Sequence, residues 1–593
     1  MFNRRDVLKI GAAAAGTGLA SKLAQAQAPQ SGLVFPQTLQ PSFVANPSPP
    51  ATPFVAPLNI IPVARPVRAS SLVPAPDPLA HQRYDDFPPQ KFYVQRIGEF
   101  RWQYHPQPPY NQGSWSWGFN GGTPGETFHV KYGEPVLVRR FNDLPPVGTG
   151  NVNFALPSVT IHTHNGHHAS ESDGIPQDFF DPGQFWDYHY GNFPAGNDPR
   201  EIMSSLWYHD HREDFTAPNV YAGLTGFYLC FDDLDSNNEN DHNPDAFRLP
   251  SGRYDVPLML HDVMFDQNGQ AVWDFSSPSP NSGRRPSANY TTFGMVGDRY
   301  TVNRTIQPFF QVERRKYRFR IQNGGPSRLY NLSLQSDSTK PSASQGANFV
   351  VLTNDGNMYE SPRIQDSVEI WVAQRQDVII DFSLFAPGDH VYLVNRLAMK
   401  EDGSGPNGRD LDPGDKIMRF DVVELQGVDN SRIPEELRTM PPVNLSEVRR
   451  ERLFVFDYTN GLFTVNGNLF DPNRVDAAIE QGTAEIWTFR NAGNAWVHPV
   501  HTHFEEFHIL EVNGRPVKRG DPLFVRKDVV SLGPNTEVKF FGRWRDFLGK
   551  HVMHCHNVVH EDHAMMIRWD IVPPGQGDNP GDNSSLIRLV TPS

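Results

Sequence analysis

Two cysteines in 593 residues, Cys230 and Cys555, exclude a disulfide framework, so packed cores must hold the fold and any sulfur chemistry must be local. Long apolar runs are missing after the N-terminal segment, and no membrane insertion is expected. Positive charge is in deficit, with Lys+Arg 53 against Asp+Glu 67 and a net charge of −14, which argues against nucleic acid or anionic membranes as partners. Gly-rich phosphate loops, zinc-finger spacings and acyl-transfer triads are absent, which leaves nucleotide and acyl chemistry without support. Long helical patterns are scarce, and Pro 53 with Gly 47 would interrupt most of them.

What the chain has is histidine in an ordered arrangement. The run His554-Cys555-His556-Asn557-Val558-Val559-His560-Glu561-Asp562-His563-Ala564-Met565 wraps the one committed thiol in imidazoles and a thioether. Side chains of an extended strand alternate between faces, so Cys555 points one way and His554 with His556 the other. One strand can then serve two metal sites. A thiolate, two imidazoles and a weakly held thioether suit an electron-transfer copper. Cys555, His560 and Met565 supply three of these ligands, and His498 in WVHPVHTHFEEFHIL is the natural fourth.

Four His-x-His pairs complete the inventory: His162 with His164, His209 with His211, His501 with His503, and His554 with His556. Each presents two rings on one face of a strand. Eight rings are enough for three coppers with coordination left open for dioxygen, and three coppers plus one at Cys555 hold the four electrons that turn dioxygen into two waters. A zinc site would need fewer ligands and no thioether. His261, in LMLHDVMF, and Cys230, in GFYLCFDD, read as packed strand residues.

The scaffold reads as all-β. A noisy repeat occupies Gly118–Asn142, Val296–Asn323 and Phe463–Asn491, each with an Asn-containing turn followed by an alternating strand that ends on Asn. Short alternating strands between Gly, Pro and Asn turns predict β-sandwiches. The expected division is residues 1–28 as a twin-arginine export signal built around Arg4 and Arg5, and 29–90 as a Pro-rich arm. Sandwich domains follow at 91–245, 246–425 and 426–573, with an irregular tail at 574–593. The signal predicts a periplasmic or secreted protein. Asp402 to Asp415 reads as a solvated loop joining domains two and three. The pairs fall in the first and third domains, so the oxygen-reducing cluster is expected between them, with the second holding the outer two in position.

The motifs IHTHNGHHASESDG, LWYHDHREDFTAPNVYAGLTG, HPVHTHFEEFHI and HCHNVVHEDHAMM resemble those of three-domain multicopper oxidases, in the style of spore-coat laccases and bilirubin oxidases. The resemblance covers roughly residues 95 to 572. It implies three consecutive cupredoxin-like Greek-key β-sandwiches, four copper ions and oxidation of phenolic or other aromatic donors by dioxygen. His498, Cys555, His560 and Met565 would hold the type 1 copper, and His162 with His501 the type 2 copper. His164, His209, His211, His503, His554 and His556 would hold the type 3 pair. Asp173 and Glu561 match carboxylates that deliver protons, and for Asp173 the orientation of a ligand histidine is an equal alternative. Electrons are expected to enter at an exposed edge of His498.

The alternatives are a bilirubin-oxidase-like activity, an oxidase of Mn(II) or Cu(I), and a non-catalytic electron-transfer protein. Glu505 and Glu506 stand where relatives have apolar residues; either could favour cationic donors or metal ions by reaching the pocket, though an exposed turn is the expectation. Only 12 methionines, unclustered, lower the Cu(I) version. His167 and His168 read as loop residues without metal. A monomer is expected, since one chain completes the inter-domain cluster.

Overall fold

The computed structural model describes residues 47–273, 293–337, 348–400, 402–578 and 587–589. The expected export signal lies outside them. Strands dominate, as the composition requires; the α-helices among the described residues are the short Thr216–Ala222 and Val558–Asp562. No helix among them is long and apolar enough to cross a membrane.

Six sheets form three pairs along the chain. Strands between residues 91 and 231 make two four-stranded sheets, those between 255 and 423 make a seven- and a five-stranded sheet, and those between 448 and 589 make an eight- and a five-stranded sheet. In each pair the opening strand runs parallel to the strand that closes the sequence repeat: Lys91–Trp102 with Val136–Asn142, Asp255–Val263 with Lys316–Asn323, and Val448–Thr459 with Thr483–Asn491. Parallel neighbours need a crossover, which gives the Greek-key connection of a sandwich.

The repeated asparagines explain why the repeat survives at all. Asn120, Asn303 and Asn466 sit in left-handed backbone, at φ 51, 49 and 52, where Asn is tolerated better than most residues. Each side chain ties its turn to the opening strand in the same way, accepting from one N–H (Arg96, Met259, Val455) and donating to a carbonyl two residues earlier (Val94, Pro257, Leu453). Asn142, Asn323 and Asn491, at the ends of the repeat strands, each accept from the N–H two residues on and donate to distant backbone carbonyls. Asn303→Ala would leave the buried Met259 N–H unpaired and place a Cβ-bearing residue without compensating bonds in left-handed backbone. Its expected cost is about 3 kcal/mol, visible as a lower thermal transition; an unchanged transition would remove this account of the repeat.

Two sequence expectations change here. From Pro406 the supposed linker is strand Pro406–Val423, paired with His390–Met399 in a long hairpin whose bulges leave its outer part solvated. Alternation is weak there because neither face is buried. The tail is not wholly irregular either, since Ile587–Leu589 returns to pair with Val448–Thr459. The Pro-rich arm, from residue 47, runs along the body, with Val67 N–H bonded to Phe92 O (2.7 Å), Ala64 N–H to Thr127 O (2.9 Å) and Phe54 N–H to Gln307 O (2.8 Å).

Candidate metal centres

Strand register assembles the histidines. In the first unit Ile161–Thr163 lies antiparallel to Ser205–Asp210 with His162 opposite His209. In the third, His498–Thr502 lies against Gly549–Cys555 with His501 opposite His554. His164, His211, His503 and His556 follow two residues on, and the two sheets face each other so that all eight rings meet. Each is at most 1% exposed.

The Nε2 atoms converge in three sets. His162 and His501 are 3.2 Å apart. His164 lies 3.1 Å from both His209 and His556, and His211, His503 and His554 stand 3.0 to 3.3 Å from one another. The opposite nitrogens explain what these contacts are. Nδ1 of His162 donates to Asp173 O (2.5 Å), of His501 to Asp528 O (2.9 Å) and of His209 to Asp210 O (2.7 Å). Nδ1 of His503 donates to Asp173 Oδ2 (2.7 Å) and of His164 to Asp528 Oδ2 (3.2 Å). Glu561 places Oε2 2.9 Å from His554 Nδ1 and Oε1 3.4 Å from His211 Nδ1.

A neutral imidazole carries one N–H. Burial, with neighbouring imidazoles adding to it, holds His164, His209, His211, His501, His503 and His556 well below the ordinary value, so they are neutral. With Nδ1 committed in His162, His164, His209, His501, His503 and His554, their Nε2 lone pairs point at one another inside a closed space. Such a cage repels itself unless cations occupy it, and neutral imidazoles oriented by outer acceptors are what a metal requires.

The second centre has the same logic. Cys555 Sγ lies 3.4 Å from His498 Nδ1 and 3.6 Å from His560 Nδ1, and the two nitrogens are 3.3 Å apart. His560 donates its Nε2–H to Phe293 O (2.8 Å), which leaves Nδ1 free to ligate. Burial lowers His498 to about 3 and pushes the Cys555 thiol well up, so a thiolate here needs a bound cation beside it. Met565 is fully buried at the same place, its carbonyl accepting from Cys555 N–H (3.1 Å). These donors fit a thiolate-imidazole-thioether copper site.

Two expectations, the exposed edge of His498 and the exposed turn at Glu505 and Glu506, meet the structure differently. His498 is 1% and His560 0% exposed, so no ligand edge faces solvent; Phe293, Tyr458, Phe463 and Trp496 cover them, Phe463 stacking on His560 at 3.8 Å and Tyr458 against Trp496 at 4.4 Å. Glu505 and Glu506 form no exposed turn and reach no donor surface. They are buried, Glu505 paired with Arg545 (2.6 Å) and Glu506 bonded to Asn357 (2.5 Å). His167 is held by Asp546 (2.9 Å) and His168 stacks on Tyr190 (4.0 Å), neither among the ligating sets. His261 bonds Asp262 O and packs near Tyr221. Sequence reasoning missed Asp528, whose surroundings RKDVVSL carry no signature.

Two family models, both described as multicopper oxidase, match residues 103–234 and 443–575. The chain is 33% identical to a bilirubin oxidase of Albifimbria verrucaria over 78% of its own length and 74% of that protein. It is 29% identical to a laccase of Bacillus subtilis, over 77% and 90% respectively. A multi-copper oxidase structure from Pediococcus acidilactici superposes with a TM-score of 0.68 at 20% identity, covering 90% of this chain and 94% of that one. The chain belongs to the multicopper oxidase family. It is a copper-dependent oxidoreductase that uses dioxygen as acceptor, with four copper ions as its cofactors.

Proposed function

We propose that the chain is an oxidase of laccase type, taking single electrons from phenolic or other aromatic donors and reducing dioxygen to two waters. His498, Cys555, His560 and Met565 form the type 1 site. His162 with His501 forms the type 2 site, and His164, His209 and His556 with His211, His503 and His554 form the type 3 pair. The observation that carries this is the partition of eight Nε2 atoms into sets of two, three and three beside a site whose thiol belongs to the residue between His554 and His556. Bound copper supplies one-electron acceptance at the thiol site and four-electron delivery to dioxygen at the imidazole-lined one.

The protein's own part is placement. Cys555 is joined through its two peptide bonds to His554 and His556, a covalent connection between the sites. Asp173 and Glu561 are the carboxylates placed to relay protons to the oxygen-reducing space. The rings of Tyr458, Trp496 and Phe293 over the type 1 site offer stacking to an aromatic donor, and none of them brings a carboxylate or imidazole for a metal ion. Burial of Glu505 and Glu506 takes away the carboxylates that would have favoured Mn(II) or Cu(I).

The test is copper content with visible and EPR spectra, then kcat/KM for 2,6-dimethoxyphenol, bilirubin, Mn(II) and Cu(I). The expected protein is blue, holds four coppers, consumes one dioxygen per four electrons and prefers the phenol. A higher kcat/KM for a metal ion, or release of peroxide, would overturn the reading.

A further inference from the structure

The middle unit contributes no histidine to either centre, yet it reaches the cluster. Asp528 and Arg375 are 0% and 1% exposed. Arg375, from the strand Arg375–Asp381, donates to both oxygens of Asp528 at 2.8 Å, and its Nε donates to Ser205 O (3.2 Å), the first residue of the strand carrying His209. Around this contact the middle unit grips the segment holding Asp528. Asn354 donates to Arg526 O (2.8 Å), Asp355 accepts from Val529 N–H (3.2 Å), and Gln374 donates to Val529 O (3.2 Å) and Ser531 Oγ (2.9 Å).

Asp528 then faces two of the imidazoles at once. Its carboxylate takes the Nδ1–H of His164 and its main-chain carbonyl takes that of His501. These rings stack 3.9 Å apart, one in the two-membered Nε2 set and the other in a three-membered set. We infer that Asp528, clamped by Arg375, is the positioning residue that fixes the tautomer and ring orientation of His164 and His501, so that the middle unit sets the geometry of the oxygen-reducing site.

Three arguments support this. A carboxylate acceptor makes the Nδ1–H bond charge-assisted and raises the basicity of the far nitrogen. With both oxygens of Asp528 engaged by a guanidinium, its orientation is fixed, and it stands as an acceptor on the outer edge of the rings. A buried ion pair brings little stability over an apolar pair of similar volume, so stability gives no account of its placement against two of the imidazoles.

The inference rests on the ligand assignment proposed above, and the experiment separates the two. In copper-loaded full-length protein, Asp528→Asn keeps the shape but loses the charge: whichever way the amide turns, its N–H₂ meets the Arg375 Nη1–H that lay 2.8 Å from both carboxylate oxygens, so the side chain must move off Arg375 and lose its hold on His164. The expected result is an unchanged blue band and type 1 EPR signal, an altered or missing type 2 signal, and about 10- to 100-fold weaker copper retention at the trinuclear site. The double variant Arg375→Met with Asp528→Leu removes both charges. It is expected to unfold near the wild-type transition and still lose the type 2 signal, because the Arg375 clamp that holds the Asp528 carbonyl on His501 is gone.

A wild-type type 2 signal and four coppers in Asp528→Asn would overturn the inference. So would recovery of that signal in the double variant, which would make the pair a structural salt bridge only. Failure of the ligand assignment shows earlier and separately, as a wild-type protein with fewer than four coppers or no type 2 signal.

Discussion

Cys555→Ser is expected to give a colourless protein with about three coppers per chain and turnover reduced to background. The thiol lies 3.4 Å from one ligating nitrogen and 3.6 Å from another, and a soft, polarisable thiolate is what selects copper at such a site and gives it its colour. Serine offers a hard oxygen whose ionisation in a buried place is far costlier still, so the remaining two imidazoles and the thioether would hold copper poorly. The second loss is the route. With the acceptor gone, no electrons reach His554 and His556, although the trinuclear site should load. A retained type 2 EPR signal beside the lost blue band would show that the damage is local. A blue variant that still turns over would sink the assignment of both centres.

How much of this was legible in the sequence depends on whether a side chain or the backbone does the work. The histidine pairs could be read because the chemistry demands one residue type and the strand fixes its spacing at two. Positions of the outer acceptors could not. His162, His209, His501 and His560 are oriented by the main-chain carbonyls of Asp173, Asp210, Asp528 and Phe293, and a carbonyl leaves no mark on residue identity.

Glu505 and Glu506 show the converse error. They follow His503 closely enough that alternation points one of them with the ring, but Phe504 takes φ 89 and turns the chain before either carboxylate. Simple alternation fails at that turn, and the carboxylates end on Arg545 and Asn357. The asparagine repeat lay between these cases. Its recurrence was visible, while its cause, a left-handed turn bonded back to the opening strand, became visible only with the hydrogen bonds.

Glu561→Gln is expected to slow turnover under saturating donor by about 10²- to 10⁴-fold, the range of a lost general acid or base, with the blue band unchanged. The residue sits on the helix Val558–Asp562, directly after His560, and its carboxylate is nearly fully buried between His554 and His211, two members of one three-membered set. Asp173 is a poorer probe of proton delivery, because its 2.7 Å bond to His503 Nδ1 and its carbonyl on His162 make any substitution there a change in ligand orientation as well. Each water formed needs two protons, and dry surroundings leave few groups able to hold one beside the reacting oxygen.

Glutamine preserves size and an acceptor oxygen for one histidine, so copper content and both EPR signals should stay near wild type. What it cannot do is take up a proton and give it away. The fall in rate should therefore come with a larger solvent isotope effect, as proton delivery becomes the slow step. A variant that loses type 3 copper in proportion to its activity would assign Glu561 to orientation instead, and an unchanged rate would take it out of the proton path altogether.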